Sequence, residues 1–169
     1  MIRSAQEADR RLLVALRTRL RRRGVEHALA AYAWTGEYGR LWIAAALAGA
    51  LVDRRRRTRW LWAALGVPLT LGANFCVKQV VRRERPELAG IAATGAVPAS
   101  LSFPSAHAAT SFAGATLIGA LVRPLRPALY GAAALMAFSR PYLGVHYPSD
   151  VLAGAWIGTV LGRVLAGLR

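Results

Sequence analysis

Two of the three histidines in this chain, His107 and His146, stand in short polar segments that also carry serine, arginine and aspartate. Asp150 follows His146 by four residues, and Pro148 between them suits the first turn of a helix. The carboxylate then reaches back to the imidazole. A carboxylate on one ring nitrogen fixes the tautomer and exposes the other nitrogen as a nucleophile or base. His107 ends the segment Phe103-Pro104-Ser105-Ala106-His107. A helix starting at Ser105 would present the amides of Ala106 and His107 as free donors at the positive end of its dipole.

Three cations complete the pattern. Lys78 and Arg85 are seven residues apart in KQVVRRERP, so they share a face if a helix persists that far. Arg140 sits six residues before His146. Guanidinium forks match phosphate oxygens, and lysine adds a point charge. With Lys78, Arg85, Ser105, Ala106 and Arg140 around a phosphate, His107 is placed to protonate a leaving oxygen. Three histidines and eight acids form no HExxH and no Asp-rich loop, so neither a metal nor another cofactor is expected.

The elements that must position these groups follow from hydropathy. Apolar residues make up 55% of the chain, with a mean hydropathy of +0.32, and they come in long blocks. That patterning points to a membrane protein. The net charge of +15 comes from arginines clustered between those blocks, as in loops flanking membrane helices, so no nucleic-acid partner is expected. Cys76 is alone, which excludes an intrachain disulfide and a zinc ribbon.

Spans are expected over Tyr38–Val52, Trp60–Val81, Ser105–Val122, Ala128–Arg140 and Pro148–Leu168. The first has an uncertain start, because an apolar stretch from Ala28 to Trp34 precedes Glu37 and Arg40. A long polar connection, Arg82 to Phe103, holds Pro86 and Pro98. Near the N-terminus, Leu12, Leu16 and Leu20 recur every four residues beside Leu13, with arginines on the other face. This segment reads as a helix lying on the membrane surface, and no cleavable signal peptide is expected there. The expectation is an all-α polytopic membrane helix bundle of about five transmembrane helices, with a basic amphipathic interfacial helix over 1–26 and the membrane domain over 27–169. Counting crossings puts all three polar segments on one face. Charged groups held at membrane depth are functional by default. Arginines flank both faces in nearly equal numbers, so the positive-inside rule assigns no orientation.

The three segments resemble the signature of the type 2 phosphatidic acid phosphatase superfamily: Lys78 with Arg85-Pro86, then Pro104-Ser105-Ala106-His107, then Ser139-Arg140 with His146 and Asp150. The resemblance runs from about Trp60 to the C-terminus. It implies a lipid phosphatase in which His146 attacks phosphorus and forms a phosphohistidine, supported by Asp150. It implies His107 as general acid, with Lys78, Arg85, Ser105, Arg140 and backbone amides holding the phosphate. Ala106 departs from the family's glycine, which matters only if that residue needs a positive φ. The implied partners are a lipid phosphate substrate presented from the bilayer and the surrounding membrane lipids. Within the family the candidates are phosphatidic acid, phosphatidylglycerophosphate, polyprenyl pyrophosphate and decaprenylphosphoryl phosphoribose phosphate. The short Arg- and Ala-rich chain is similar to small actinobacterial members, which implies a multi-pass protein of a bacterial plasma membrane. A non-catalytic binder of anionic headgroups and a haloperoxidase-like enzyme are the alternatives.

Overall fold

Serine, proline and glycine set the helix boundaries near the polar segments. The structure, a computed structural model, describes residues 2–87, 93 and 100–168. Seven α-helices and three single 3-10 turns, with no strand, make up the regular structure among the described residues. The helices are α1 (Ile2–Arg19), α2 (Arg23–Thr35), α3 (Arg40–Val52), α4 (Arg57–Val81), α5 (Ala106–Leu121), α6 (Arg126–Tyr142) and α7 (Pro148–Gly167). The all-α class agrees with the expectation. Pro98 and most of its surrounding loop lie outside the described residues.

Helix α5 is the centre, packed against α4, α6 and α7. It can be central because it is made of small residues: Ala108, Ala109, Ala113 and Ala115 are fully buried. On α7, Gly154 and Gly158 face it so closely that an added Cβ would stand 2.4 Å from the Ser105 carbonyl oxygen and 2.1 Å from that of Ala109. Small residues that let backbones touch are how helices associate where hydrophobic burial gives no drive. Toward the other end, Trp42 and Trp60 pack with Val67, Leu117 and Leu121, and Trp42 Nε1 donates to Ser111 Oγ at 2.9 Å. Apolar side chains are exposed on two helices: Leu61, Leu65 and Leu69 on α4, and Leu152 and Trp156 on α7.

Two expectations need correction. The first apolar element does not begin at Tyr38. Tyr38 and Gly39 take positive φ (53° and 76°), which breaks the chain between α2 and α3, and α3 has only 13 residues. Thirteen residues rise about 20 Å, short of a perpendicular crossing. Arg54–Val81 and Pro148–Gly167 are long and apolar enough to cross a membrane, and α5 is apolar but shorter. The helix expected over 1–26 also stops short: α1 ends at Arg19 and α2 begins at Arg23. Leu13 is buried and Leu12 and Leu20 are half exposed, yet Arg17 is buried too. Arg17 pairs with Glu26 at 2.7 Å and donates to the Tyr142 carbonyl at 2.7 Å, so α1 docks on the C-terminus of α6 through a charge.

Candidate active site

The C-terminal ends of α4 and α6 and the N-terminal end of α5 converge on one cavity of about 910 Å³. Lys78, in the last turn of α4, donates to the Leu101 carbonyl at 2.6 Å. The helix stops at Val81, because Arg82 adopts φ 53° and its N–H closes on the Lys78 carbonyl at 2.9 Å. Lys78 and Arg85 therefore do not share a helix face, as the spacing suggested. Arg85 reaches the cavity from the loop, donating to Val145 O at 2.6 Å and Ser100 O at 2.7 Å.

At α5, Ser105 is the N-cap, and its Oγ accepts from the Ala108 amide at 3.5 Å. Its own amide donates to the Asp150 carbonyl at 2.9 Å. Ser105 is thus fully buried behind the wall, while Ala106 and His107 line the cavity. Ala106 opens the helix and is not among the residues with positive φ, so alanine in place of glycine carries no strain there. Helix α6 ends in a Schellman turn: Gly144 takes φ 80°, its N–H reaches Pro141 O, and the Val145 N–H reaches Arg140 O at 3.1 Å. That reversal puts Arg140 and His146 on the same cavity.

The hydrogen bonds assign the His146 tautomer. Arg85 Nη1 lies 2.9 Å from His146 Nε2. A guanidinium only donates, so Nε2 is the acceptor and Nδ1 carries the hydrogen. Nδ1 faces Asp150 Oδ2 at 3.5 Å and Ser102 Oγ at 3.4 Å. Asp150, fully buried, also accepts from the Tyr147 amide at 2.9 Å and from Ser102 Oγ. Burial pushes the His146 imidazole down to about 3, and the charges of Arg85 and Arg140 push the same way against the pull of Asp150. The ring is neutral, with its Nε2 lone pair toward the cations.

His107 turns its Nε2 to the Ala33 carbonyl at 3.2 Å and stands 3.6 Å from Glu37 Oε2. In sequence it has no acid within four residues, but the turn before α3 supplies one. Arg140 is buried and its Nε has no hydrogen-bond partner. A buried guanidinium with donors unspent is a place for an anion. Among the described residues, no group of three His, Cys, Asp or Glu side chains is set to hold a metal ion.

Further residues of the site escape sequence reading. Arg83 donates to Asp150 Oδ1 at 2.8 Å and to Asp9 Oδ2 at 2.7 Å. Asp9 also accepts from the Ser149 amide at 3.0 Å. Nothing in the run Arg82-Arg83-Glu84-Arg85 separates Arg83 from exposed Arg82; the turn does.

The signature of the PAP2 superfamily matches residues 59–168. The chain belongs to that family. A decaprenylphosphoryl-5-phosphoribose phosphatase of Mycolicibacterium smegmatis is 41% identical over 151 residues, covering 89% of this chain and 83% of that protein. A protein of the same name from Mycobacterium tuberculosis is 42% identical over 131 residues, covering 77% and 72%. The fold is similar to that of a transmembrane PAP2-type phosphatidylglycerolphosphate phosphatase from Bacillus subtilis, with a TM-score of 0.80 and 24% identity over 98% of this chain and 86% of that one. It is also similar to Aquifex aeolicus LpxE, with a TM-score of 0.78 and 23% identity over 93% of each chain. Membership of the PAP2 superfamily makes the chain a phosphatase, a hydrolase of phosphate esters.

Proposed function

We propose that this PAP2 protein is an integral membrane lipid phosphatase that works through a phosphohistidine on His146. One observation carries the reading: His146, neutral and with its Nε2 held by Arg85, lines a cavity that is cationic at one end and apolar at the other. Lys78, Arg85 and Arg140 form the cationic end, and Pro68, Leu71, Gly72 and Phe75 of α4 the apolar one. Such a cavity suits a phosphate carried on a long apolar chain. The exposed leucines of α4 and the tryptophan of α7 suit lipid around the bundle. The reading keeps five crossings, with α3, α5 and α6 as the shorter ones, and α1 lying on the surface at the catalytic end.

In this reaction the phosphate binds the three cations and the amide end of α5. Arg85 turns its donor from His146 Nε2 to the phosphate, and the freed lone pair forms a bond to phosphorus as the P–O ester bond breaks. His107 gives its proton to the departing alkoxide. Asp150 and Ser102 hold the Nδ1 hydrogen and stabilise the charge that develops on the ring. Water then attacks the phosphohistidine, His107 takes its proton, and inorganic phosphate leaves. The first substrate to test is a polyprenyl lipid bearing a ribose 5-phosphate, because relatives covering most of the chain bear that name.

The test is phosphate release by the purified protein in detergent with EDTA present. The expected result is turnover of the lipid, inhibition by vanadate, and an acid-labile phosphoryl group mapped to His146 by mass spectrometry. His146→Ala should lower the rate by several orders of magnitude, as loss of a nucleophile does. Near-normal turnover by that variant overturns the assignment. A folded protein that binds lipid phosphate with no turnover would be a headgroup-binding protein instead. Loss of activity on chelation, restored by a divalent ion, would sink the metal-independent route.

A further inference from the structure

Asn74 is fully buried, and neither its Oδ1 nor its Nδ2 has a hydrogen-bond partner. Buried polar side chains are rarely left so. The other buried polar side chains on α4 are satisfied. Thr70 Oγ1 donates to Gly66 O at 2.9 Å, and Lys78 Nζ holds the Leu101 and Ser102 carbonyls. Asn74 lines the same cavity as the histidines and sits one helical turn before Lys78. One turn places it about 6 Å from Lys78 along the axis. The apolar residues Pro68, Leu71 and Gly72 come earlier still on the helix. Phe75 follows Asn74 on the helix, so a bound amphiphile meets the cations, then an amide beside an aromatic ring, then the apolar wall.

The chemistry of that middle zone is specific. A carboxamide offers one acceptor and a donor pair. A neighbouring hydroxyl satisfies it as donor and acceptor at once, whereas an alkyl or prenyl chain gives it nothing. Phosphate oxygens would satisfy Nδ2 but only repel Oδ1. The orphaned Nε of Arg140 answers to the phosphate, and the orphaned amide answers to something beyond it.

We propose that Asn74 reads a hydroxyl on the group between the scissile phosphate and the apolar chain, making this a phosphatase for lipids whose phosphate sits on a sugar or other polyol. The inference rests on the lipid-phosphatase reading and deepens it. A site built to bond a substrate hydroxyl leaves its own polar atoms unpaired when that hydroxyl is missing, which is a strong source of discrimination.

The test compares two substrates, farnesylphosphoryl ribose 5-phosphate and hexadecyl phosphate, in wild type and Asn74→Leu. Leucine keeps the branched four-atom shape and removes the unpaired amide, and the melting temperature in detergent reports folding. Asn74→Ala repeats the comparison should the leucine variant not fold. The expected result is a fall of about 10- to 100-fold in the ratio of kcat/KM for the ribose compound over hexadecyl phosphate. An unchanged ratio overturns the proposal, whether both rates fall together, as a structural role would require, or neither moves. A wild-type protein that releases phosphate from neither compound overturns the lipid-phosphatase reading, and this proposal with it.

Discussion

Arg83 ties Asp9, on the first helix, to Asp150, behind the His146 ring: its guanidinium lies 2.7 Å from one carboxylate and 2.8 Å from the other. The two aspartates are 141 residues apart in the chain, and a single loop arginine pairs with both. The helix read as surface-lying is thereby connected to the carboxylate behind the His146 ring.

Replacing Arg83 by Met should leave two buried carboxylates facing each other. Hydrogen bonds to charged groups contribute about 1.5–3 kcal/mol each, equivalent to roughly 10- to 150-fold in rate. Expected outcomes are a lower melting temperature and a fall in kcat within that range, with KM little changed because Arg83 does not line the cavity. Asp9→Asn should give the same trend, weaker. Steady-state kinetics and thermal unfolding in detergent check both, and a change confined to KM would contradict the positioning role.

The two histidines should separate by leaving group. An alkyl phosphate leaves as a basic alkoxide and needs a proton, while nitrophenyl phosphate leaves as a stable anion. General-acid help is worth about 100- to 10,000-fold. His107→Ala should therefore suffer far more on the alkyl ester, and His146→Ala should be inactive on both. The reverse pattern would exchange their roles.

The state of His146 predicts two pH effects. Its folded value of about 3 lies below the ordinary 6.5, so the ring stays neutral in the free enzyme through the physiological range. Any acid limb of kcat/KM near pH 6 then belongs to the substrate phosphate or to another group, and should persist unshifted when Arg83 or Asp9 is changed. For stability the sign is opposite to that of a histidine held charged in an ion pair. The unfolded chain protonates at its ordinary value, so stability is whole above about pH 6.5 and falls toward pH 3, by up to about 1.4 kcal/mol per pH unit. His146→Gln should flatten the decline in melting temperature between about pH 6.5 and 4.5. A variant that follows the wild-type curve would refute the buried neutral ring.

Gly158→Val should be among the most damaging changes outside the site, because its first side-chain atom meets backbone 2.1 Å away. Overpacking of this kind costs about 1–3 kcal/mol or more. Gly131→Ala on α6 meets nothing within 4 Å and should be neutral or stabilising. Detergent size-exclusion profiles of the two variants provide the contrast.

Much of this protein follows from local sequence. The ends of α5 and α7 are set by Ser105 and Pro148, whose capping and N1 preferences act within one turn. Apolar runs make α4 and α7 helical whatever they touch. The connections between successive packed helices then bring Lys78, His107 and His146 to one cavity. The family signature lies in those same short segments.

Other features needed the tertiary structure. Hydropathy shows where a chain is apolar but not where it turns, so the break at Tyr38 and Gly39 is settled by packing: Gly39 lies against Val67 and Thr110. Arg85 reaches His146 only because α4 stops four residues short of it. A charge written in sequence carries no partner. Arg17 faces Glu26, Arg83 faces Asp9 and Asp150, and Glu37 faces His107 because distant segments meet. Asn74 is one more polar residue in an apolar helix until the cavity beside it is seen. Its meaning lies in what it lacks, and only the packed chain decides which polar groups find partners and which are left for a ligand.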